Sequence, residues 1–185
     1  QWQVLAGVHE GFSPLGGSAK ENEKPETSTN WEAGVRYHAD WFVEAIGFYS
    51  DFDNKTEYCS NATPCSNGEV FGAFNTGKAE IAGLEFQAGT QFAAGSFTVP
   101  LDLMYTYTDA TISEDNDFIG VENGDELAAI PKNTASMRLG LEAANGWDNY
   151  AIARYVDSMC TDVGCSNSDN PFDETEDYVV LDLIS

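Results

Sequence analysis

Four cysteines fall in two close pairs, Cys59/Cys65 and Cys160/Cys165, each inside a polar segment rich in Ser, Asn, Thr and Gly. The only histidines, His9 and His38, lie near neither pair. Zinc knuckles use shorter spacings in coordinated sets, so the spacing fits a metal site poorly. Two local disulfides pinning loop tips fit better and imply an oxidising compartment. Other pairings among four cysteines stay open. With the histidines far apart and no G-x-S-x-G segment, no hydrolytic triad can be assembled, and the chain is expected not to be an enzyme. His9 and His38 read as ordinary strand-end residues.

The carboxylates are the second chemical feature. The chain has 31 Asp and Glu against 8 Lys and Arg, a net charge of −23. Phosphate backbones repel such a chain, which excludes nucleic acid as a partner. Residues 113–126 hold Glu114, Asp115, Asp117, Glu122, Asp125 and Glu126 without a base. Residues 157–177 hold seven acids and no base. The plain reading is solvated acidic loops. The sharper one is a structural Ca2+ on Asp115, Asp117 and Glu122, since hard cations take carboxylate oxygens. No other cofactor is expected.

These groups must be held by strands. Trp31, Ala33, Val35 and Tyr37 alternate with Asn30, Glu32, Gly34 and Arg36, and the same period of two runs through 84–92, 99–108 and 135–143. Each such segment carries one apolar and one polar face. Strands are expected at 1–9, 28–39, 41–55, 70–92, 96–112, 132–144, 147–158 and 176–185. The connections between them alternate strictly between short (39–41, 93–96, 144–147) and long, polar ones (10–27, 56–69, 113–131, 159–175). Transmembrane barrels alternate in this way, with tight periplasmic turns and long extracellular loops. Tyr37, Trp41, Phe92, Phe97 and Trp147 mark the short-turn end, where an interfacial girdle would sit. Glu32, Arg36, Glu85, Gln87, Asp102, Arg138, Glu142 and Arg154 occupy the other face, and they would be costly in a packed sandwich core. No apolar run approaches the ~20 residues of a membrane helix. The fold class is therefore all-β, an antiparallel transmembrane β-barrel segment. The alternatives are a complete eight-stranded barrel with a structural or adhesion role, and a secreted disulfide-pinned β-sandwich.

The stretch Lys24-Pro25-Glu26, Ser28, Asn30, Glu32, Gly34, Arg36, followed by Phe48, Asp51, Phe52, Asp53 and Asn54, resembles the TonB-dependent outer-membrane receptors, particularly the ferric-citrate and ferric-siderophore group. Gly7, Val8, Gly11, Phe12 and Pro14 look like that family's opening segment. Gly77, Lys78, Ala79, Gly83, Leu84 and Glu85 look like its next strand, and residues 130–142 and 153–159 like the following hairpin. The resemblance spans nearly the whole chain, in order. It implies eight strands of a barrel of about 22, in a Gram-negative outer membrane. Residues 1–185 would then be part of the barrel domain, without plug or final strand. A signal peptide is not visible at the start, which fits a mature form or a fragment.

The resemblance further implies uptake of a ferric chelate without covalent chemistry. The partners would be outer-membrane lipid and lipopolysaccharide, and TonB through an N-terminal region not contained in the chain. Candidate ligand contacts are the loop groups Tyr58, Phe71, Phe74 and Asn75 and the wall groups Arg36, Arg138 and Arg154. The arginines are expected to pair with Glu32, Glu85 or Glu142 across the wall. Gly34 and Gly83 are expected where backbone or plug comes close.

Overall fold

The computed structural model describes residues 1–17, 19, 23–61, 71–116, 121–165 and 173–185, without the side chains of 57–59 and 76. Eight strands form one antiparallel sheet in chain order. They are β1 (Trp2–Ser13), β2 (Glu26–His38), β3 (Trp41–Cys59), β4 (Gly72–Ala94), β5 (Phe97–Ile112), β6 (Asn133–Ala143), β7 (Asp148–Val156) and β8 (Tyr178–Ile184). Every neighbouring pair is an antiparallel ladder, and no ladder joins β1 to β8 among the described residues. That single open sheet excludes two of the alternatives. A sandwich needs a second sheet packed on the first, and a closed eight-stranded barrel needs its first and last strands to pair.

The short connections are tight turns. Gly95 (φ +64°) and Gly146 (φ +83°) occupy left-handed backbone, which glycine adopts without a Cβ penalty. At the third, Ala39 N–H donates to Trp41 O at 3.0 Å. These turns fix the register, and the register decides which residues share a face.

One face carries the row Trp2, Tyr37, Val43, Ala88, Leu103, Met137, Ala153, Leu181. The next row on that face is Val4, Val35, Ala45, Phe86, Tyr105, Ala135, Tyr155, Val179. Large apolar groups there are open to the surroundings: Val4 is 83% exposed, Leu183 87% and Trp41 46%. The opposite face lines the hollows of the curved sheet, such as that of Asp102, Met104, Ser136, Arg138, Ile152 and Arg154. The apolar face is thus the convex outer one, and the charged face is the concave inner one.

Aromatic rings bound the outer apolar band at both ends. At the short-turn end, the ring of Tyr37 lies 5.0 Å from Trp2 and 4.3 Å from Trp41. At the far end stand Trp31, Tyr49, Tyr105 and Tyr155, each seven or eight residues from the strand end at its short turn. Trp31 and Tyr49 are 5.5 Å apart. Eight residues of strand span ~27 Å, or about 20 Å of height at a tilt of roughly 40°, comparable with the ~25 Å apolar band of outer-membrane barrels. The second ring is not apparent in the linear sequence, because its members come from four different strands.

Above that ring β3 and β4 change register twice, between Phe52 and Lys55 and between Lys55 and Thr56. Asn54 (φ 57°) and Gly77 (φ 112°) hold left-handed backbone on the two facing strands there. The two shifts are opposite in sense, so the pairing offset of the lower strand returns at Thr56↔Asn75.

Candidate functional site

The inner wall is held in shape by close contact between strands. The backbone at Gly83 is turned so that a Cβ there would stand 2.2 Å from Tyr107 O and 2.4 Å from Cζ of Phe48. At Gly34 a Cβ would meet Ala45 O at 2.5 Å. The close approach expected at these two glycines is that of the neighbouring strands. The Phe48 ring fills the space that a Gly83 side chain would need.

Arg36, Arg138 and Arg154 all lie on the inner wall, but not with the expected partners. Arg36 pairs with Glu44, directly opposite it on β3. Arg138 pairs with Asp102, opposite it on β5, its Nη2 2.7 Å from Oδ2. Arg154 pairs with Asp182, diagonally across on β8. Expected pairing with Glu32, Glu85 or Glu142 is thereby corrected. A cross-strand neighbour lies about 5 Å away, whereas Glu32 and Glu85 sit in other rows. Glu142 instead accepts a hydrogen bond from Tyr150 OH at 2.7 Å. The Arg138 guanidinium also stands 5.4 Å from the Tyr150 ring centre. Glu32 and Glu85 flank a hollow lined by His9, Asn30, Ile46, Phe48 and Ser50. Both carboxylates are exposed to that hollow, and no cation pairs with either among the described residues.

The loop candidates lie at the other end of the wall. Phe71 is 61% exposed, whereas Phe74 is 5% exposed in a small apolar core. That core joins Phe52, Ala79, Ile81, Ala110 and Ile112 on the inner face to Val121, Leu127, Ile130 and Val163 from the loops. Asn75 is a junction. Its Nδ2 donates to Lys24 O at 3.1 Å and Asn54 O at 3.0 Å, and its Oδ1 accepts from Lys24 N–H at 2.8 Å. Its own N–H donates to Glu23 Oε2 at 2.6 Å. The side chain of Tyr58 lies outside the described residues. The structure thus brings the loop group together around the tips of β3 and β4, and sets the three arginines apart from it, lower on the wall.

The Cys160–Cys165 disulfide is formed, with Cα atoms 5.4 Å apart. The expected Cys59–Cys65 bond falls on Cys65 and the Cys59 side chain, outside the described residues. The acidic segment at 121–131 is folded against the wall rather than spread into solvent. Asp125 is 8% exposed, and its carboxylate accepts Glu122 N–H at 2.8 Å. Asp115 accepts Asn123 N–H at 2.6 Å. Of the proposed cation ligands, Asp117 lies outside the described residues, and no group of three ligating side chains gathers among those described. At the rim, Asp157 accepts from Asn133 Nδ2 at 2.6 Å, Tyr155 OH at 3.0 Å and its neighbour Ser158 N–H at 3.2 Å. The Asn133 bond, followed by the Tyr155 bond, holds this carboxyl below the usual aspartate range. Lys132 is held above the usual lysine range, chiefly by its bond to Glu126.

Chemically, this wall can position charged groups along one face of the sheet. No curated protein matches the chain. Solved structures do match. The ferric yersiniabactin uptake receptor FyuA from Yersinia pestis aligns with a TM-score of 0.71 and 21% identity, over 98% of this chain and 27% of that one. The copper transporter OprC aligns at 0.73 and 22%, over 98% and 28%. The ferric-catecholate import receptor Fiu from K12 E. coli aligns at 0.65 and 20%, over 98% and 26%. The chain spans about a quarter of the length of these proteins. At such identities the likeness establishes the fold alone. The family profile described as TonB dependent receptor-like, beta-barrel matches residues 1–184. An apolar convex face between two aromatic rings, a charged concave face and a whole-length profile match together place the chain in the β-barrel family of TonB-dependent receptors, proteins of the Gram-negative outer membrane.

Proposed function

We propose that the whole protein is an outer-membrane active-transport receptor that takes up a ferric chelate, siderophore or ferric-citrate-like, with energy delivered by TonB. The observation that carries this reading is the pair of inner-wall carboxylates Glu32 and Glu85. They face the concave side, and among the described residues the wall's arginines pair with other carboxylates and not with these two. An exposed carboxylate needs no partner in open water, but a narrow charged interior favours countercharge from whatever fills it. A plug domain within the barrel would supply it. The chain then contributes wall and extracellular loops, its outer face meets lipid and lipopolysaccharide, and TonB acts on a region outside residues 1–185. Tyr58, Phe71, Asn75, Arg36, Arg138 and Arg154 are the proposed contacts along the ligand's path, whereas Phe74 is covered in the apolar core and would support them from behind. Ca2+ on the loop carboxylates, Asp115 and Glu122 among them, would screen an anionic cargo from these acids.

One observation favours a second reading, in which the cargo is a cationic or neutral metal complex. The described loop residues around the rim include Glu114, Asp115, Glu122, Glu126, Asp162, Asp173 and Glu174, against the loop bases Lys24 and Lys132 and, on the strand tips, Lys55 and Lys78, so acids outnumber bases there. Such a rim raises the local concentration of cations and repels anions. The test is uptake by cells carrying or lacking the intact receptor, in TonB-competent and TonB-deficient backgrounds. Iron-55 would be supplied as ferric citrate and as a ferric catecholate, with copper in a parallel arm. Receptor- and TonB-dependent iron uptake supports the first reading, and copper uptake alone supports the second. Uptake that ignores either the receptor or TonB overturns both.

A further inference from the structure

Beyond the far aromatic ring, two loop segments are fastened to each other as well as to the wall. Residues 121–131 run back along the tip of β5: Ile112 N–H donates to Asp125 O at 2.8 Å, and Leu127 N–H donates to Ala110 O at 3.0 Å. The segment 159–165 grips this stretch from its free side. Ala129 N–H donates to Cys160 O at 2.8 Å, and Gly164 N–H donates to Glu126 O at 2.9 Å. The Cys160–Cys165 disulfide closes the gripping loop, and both cysteines are buried at 3% and 9% exposure.

Two backbone features show that the fit is specific. Gly164 has φ +77°, and a Cβ there would stand 2.9 Å from Cγ of the buried Asp125 carboxylate. Only a glycine lets the two loops close to this distance. Ala129 has φ +62°, a left-handed conformation that a Cβ disfavours. Its N–H is the very group that Cys160 O accepts, so the strained residue is held by the gripping loop. Strain of this kind persists only where the surroundings over-determine it. Beneath lie Val121, Leu127, Ile130 and Val163, covering Phe74, Ala79, Ala110 and Ile112.

We infer that the disulfide-closed loop Cys160–Cys165 is a latch. It holds residues 121–131 as a strap over the apolar extracellular end of the inner wall, and strap and latch open together as one body. The inference stands apart from the transport reading, since it concerns which segments move with which, whatever the cargo. Opening exposes the apolar patch toward the interior, and closing hides it.

Hydrogen exchange read by mass spectrometry on the intact receptor, in native outer membranes or in micelles, tests this. In Cys160→Ser/Cys165→Ser, exchange across 124–130 is expected to rise at least tenfold, with the amides of β5 and β6 below the far aromatic ring unchanged. Gly164→Ala keeps the disulfide but pushes on Asp125, and it should raise the same amides severalfold. Ala129→Gly relieves the strained backbone and should slow them. Should the double serine variant fail to assemble, reducing the folded receptor with a phosphine gives the same readout without refolding. The inference is overturned if 124–130 keeps its protection after the disulfide is removed or reduced, or if 159–165 opens while 124–130 stays closed.

Discussion

Gly83→Ala tests the shape of the wall at its most constrained point. The added Cβ would meet Tyr107 O at 2.2 Å and two Phe48 ring atoms at 2.4 and 2.8 Å. Ordinary carbon–oxygen contacts lie at ~3.3–3.6 Å, so the carbonyl must retreat by about 1 Å. The ring can swing away, but the carbonyl belongs to a strand bonded on both sides. Overpacking costs roughly 1–3 kcal/mol, and a backbone obstacle belongs at the upper end. At ~1.4 kcal/mol per decade, 3 kcal/mol is on the order of a hundredfold in the folding equilibrium. Gly47→Ala is the matched control, because its Cβ would find only Ala33 O at 3.8 Å and Gly83 O at 3.9 Å. The intact receptor is refolded into micelles across a urea series, and the folded fraction is read from heat-modifiable gel mobility. Gly83→Ala should lose about 3 kcal/mol relative to Gly47→Ala, and adding Phe48→Leu should restore only part of it. If the two alanine variants agree within ~0.5 kcal/mol, the strands do not approach as described and the reasoning fails.

Arg36→Ala should destabilise the barrel by roughly 1–3 kcal/mol, because it strands the nearly buried Glu44 carboxylate. Arg154→Ala should cost under about 1 kcal/mol, since both members of its pair are half exposed, and urea midpoints compare the two. Val35→Arg puts a charge in the outer apolar band and should cost ~2–4 kcal/mol, whereas Glu85→Arg on the inner face should leave membrane insertion intact. Asp157 has a folded pKa held below the ordinary aspartate range, mainly by the Asn133 bond. Its contribution is therefore complete above about pH 4 to 5 and is lost as pH falls through the lower folded value. A carbon-13 carboxyl titration should place its midpoint below that of an exposed aspartate, and Asn133→Ala should move it back up.

Strand existence was legible in the sequence wherever lipid demands an apolar face, and strand ends were not. β1 was expected to stop at His9, yet its ladder runs to Ser13, opposite Glu26. Beyond the far aromatic ring no lipid imposes alternation, so the backbone pairing continues after the side-chain pattern fades. The arginine partners were legible in principle. The three residues Ala39, Asp40 and Trp41 between the last pair, His38 and Phe42, set Arg36 opposite Glu44, but side-chain charge alone suggested Glu32. The folded strap at 121–131 was hidden because its anchors Val121, Leu127 and Ile130 are scattered among carboxylates with neither strand nor helix spacing. Of the candidate ligand contacts, the sequence placed Phe71, Phe74 and Asn75 at the long-loop end, and they stand there at the tip of β4. It gave no sign that Asn75 would be tied into hydrogen bonds on both sides or that Phe74 would be covered.

The paired register shifts above the far ring have an evolutionary consequence. An uncompensated residue inserted here would shift the pairing of every residue beyond it and, on β4, of the strand that returns into the apolar band, where lipid would not tolerate a turned face. Here the slip at Asn54 is answered within a few residues by a compensating slip around Gly77, and the pairing count is restored. Insertions and deletions that cancel in this way can re-aim the β3–β4 tip while the wall below keeps its alignment. The β3–β4 tip is thereby free to diversify on a frame that the bilayer holds constant.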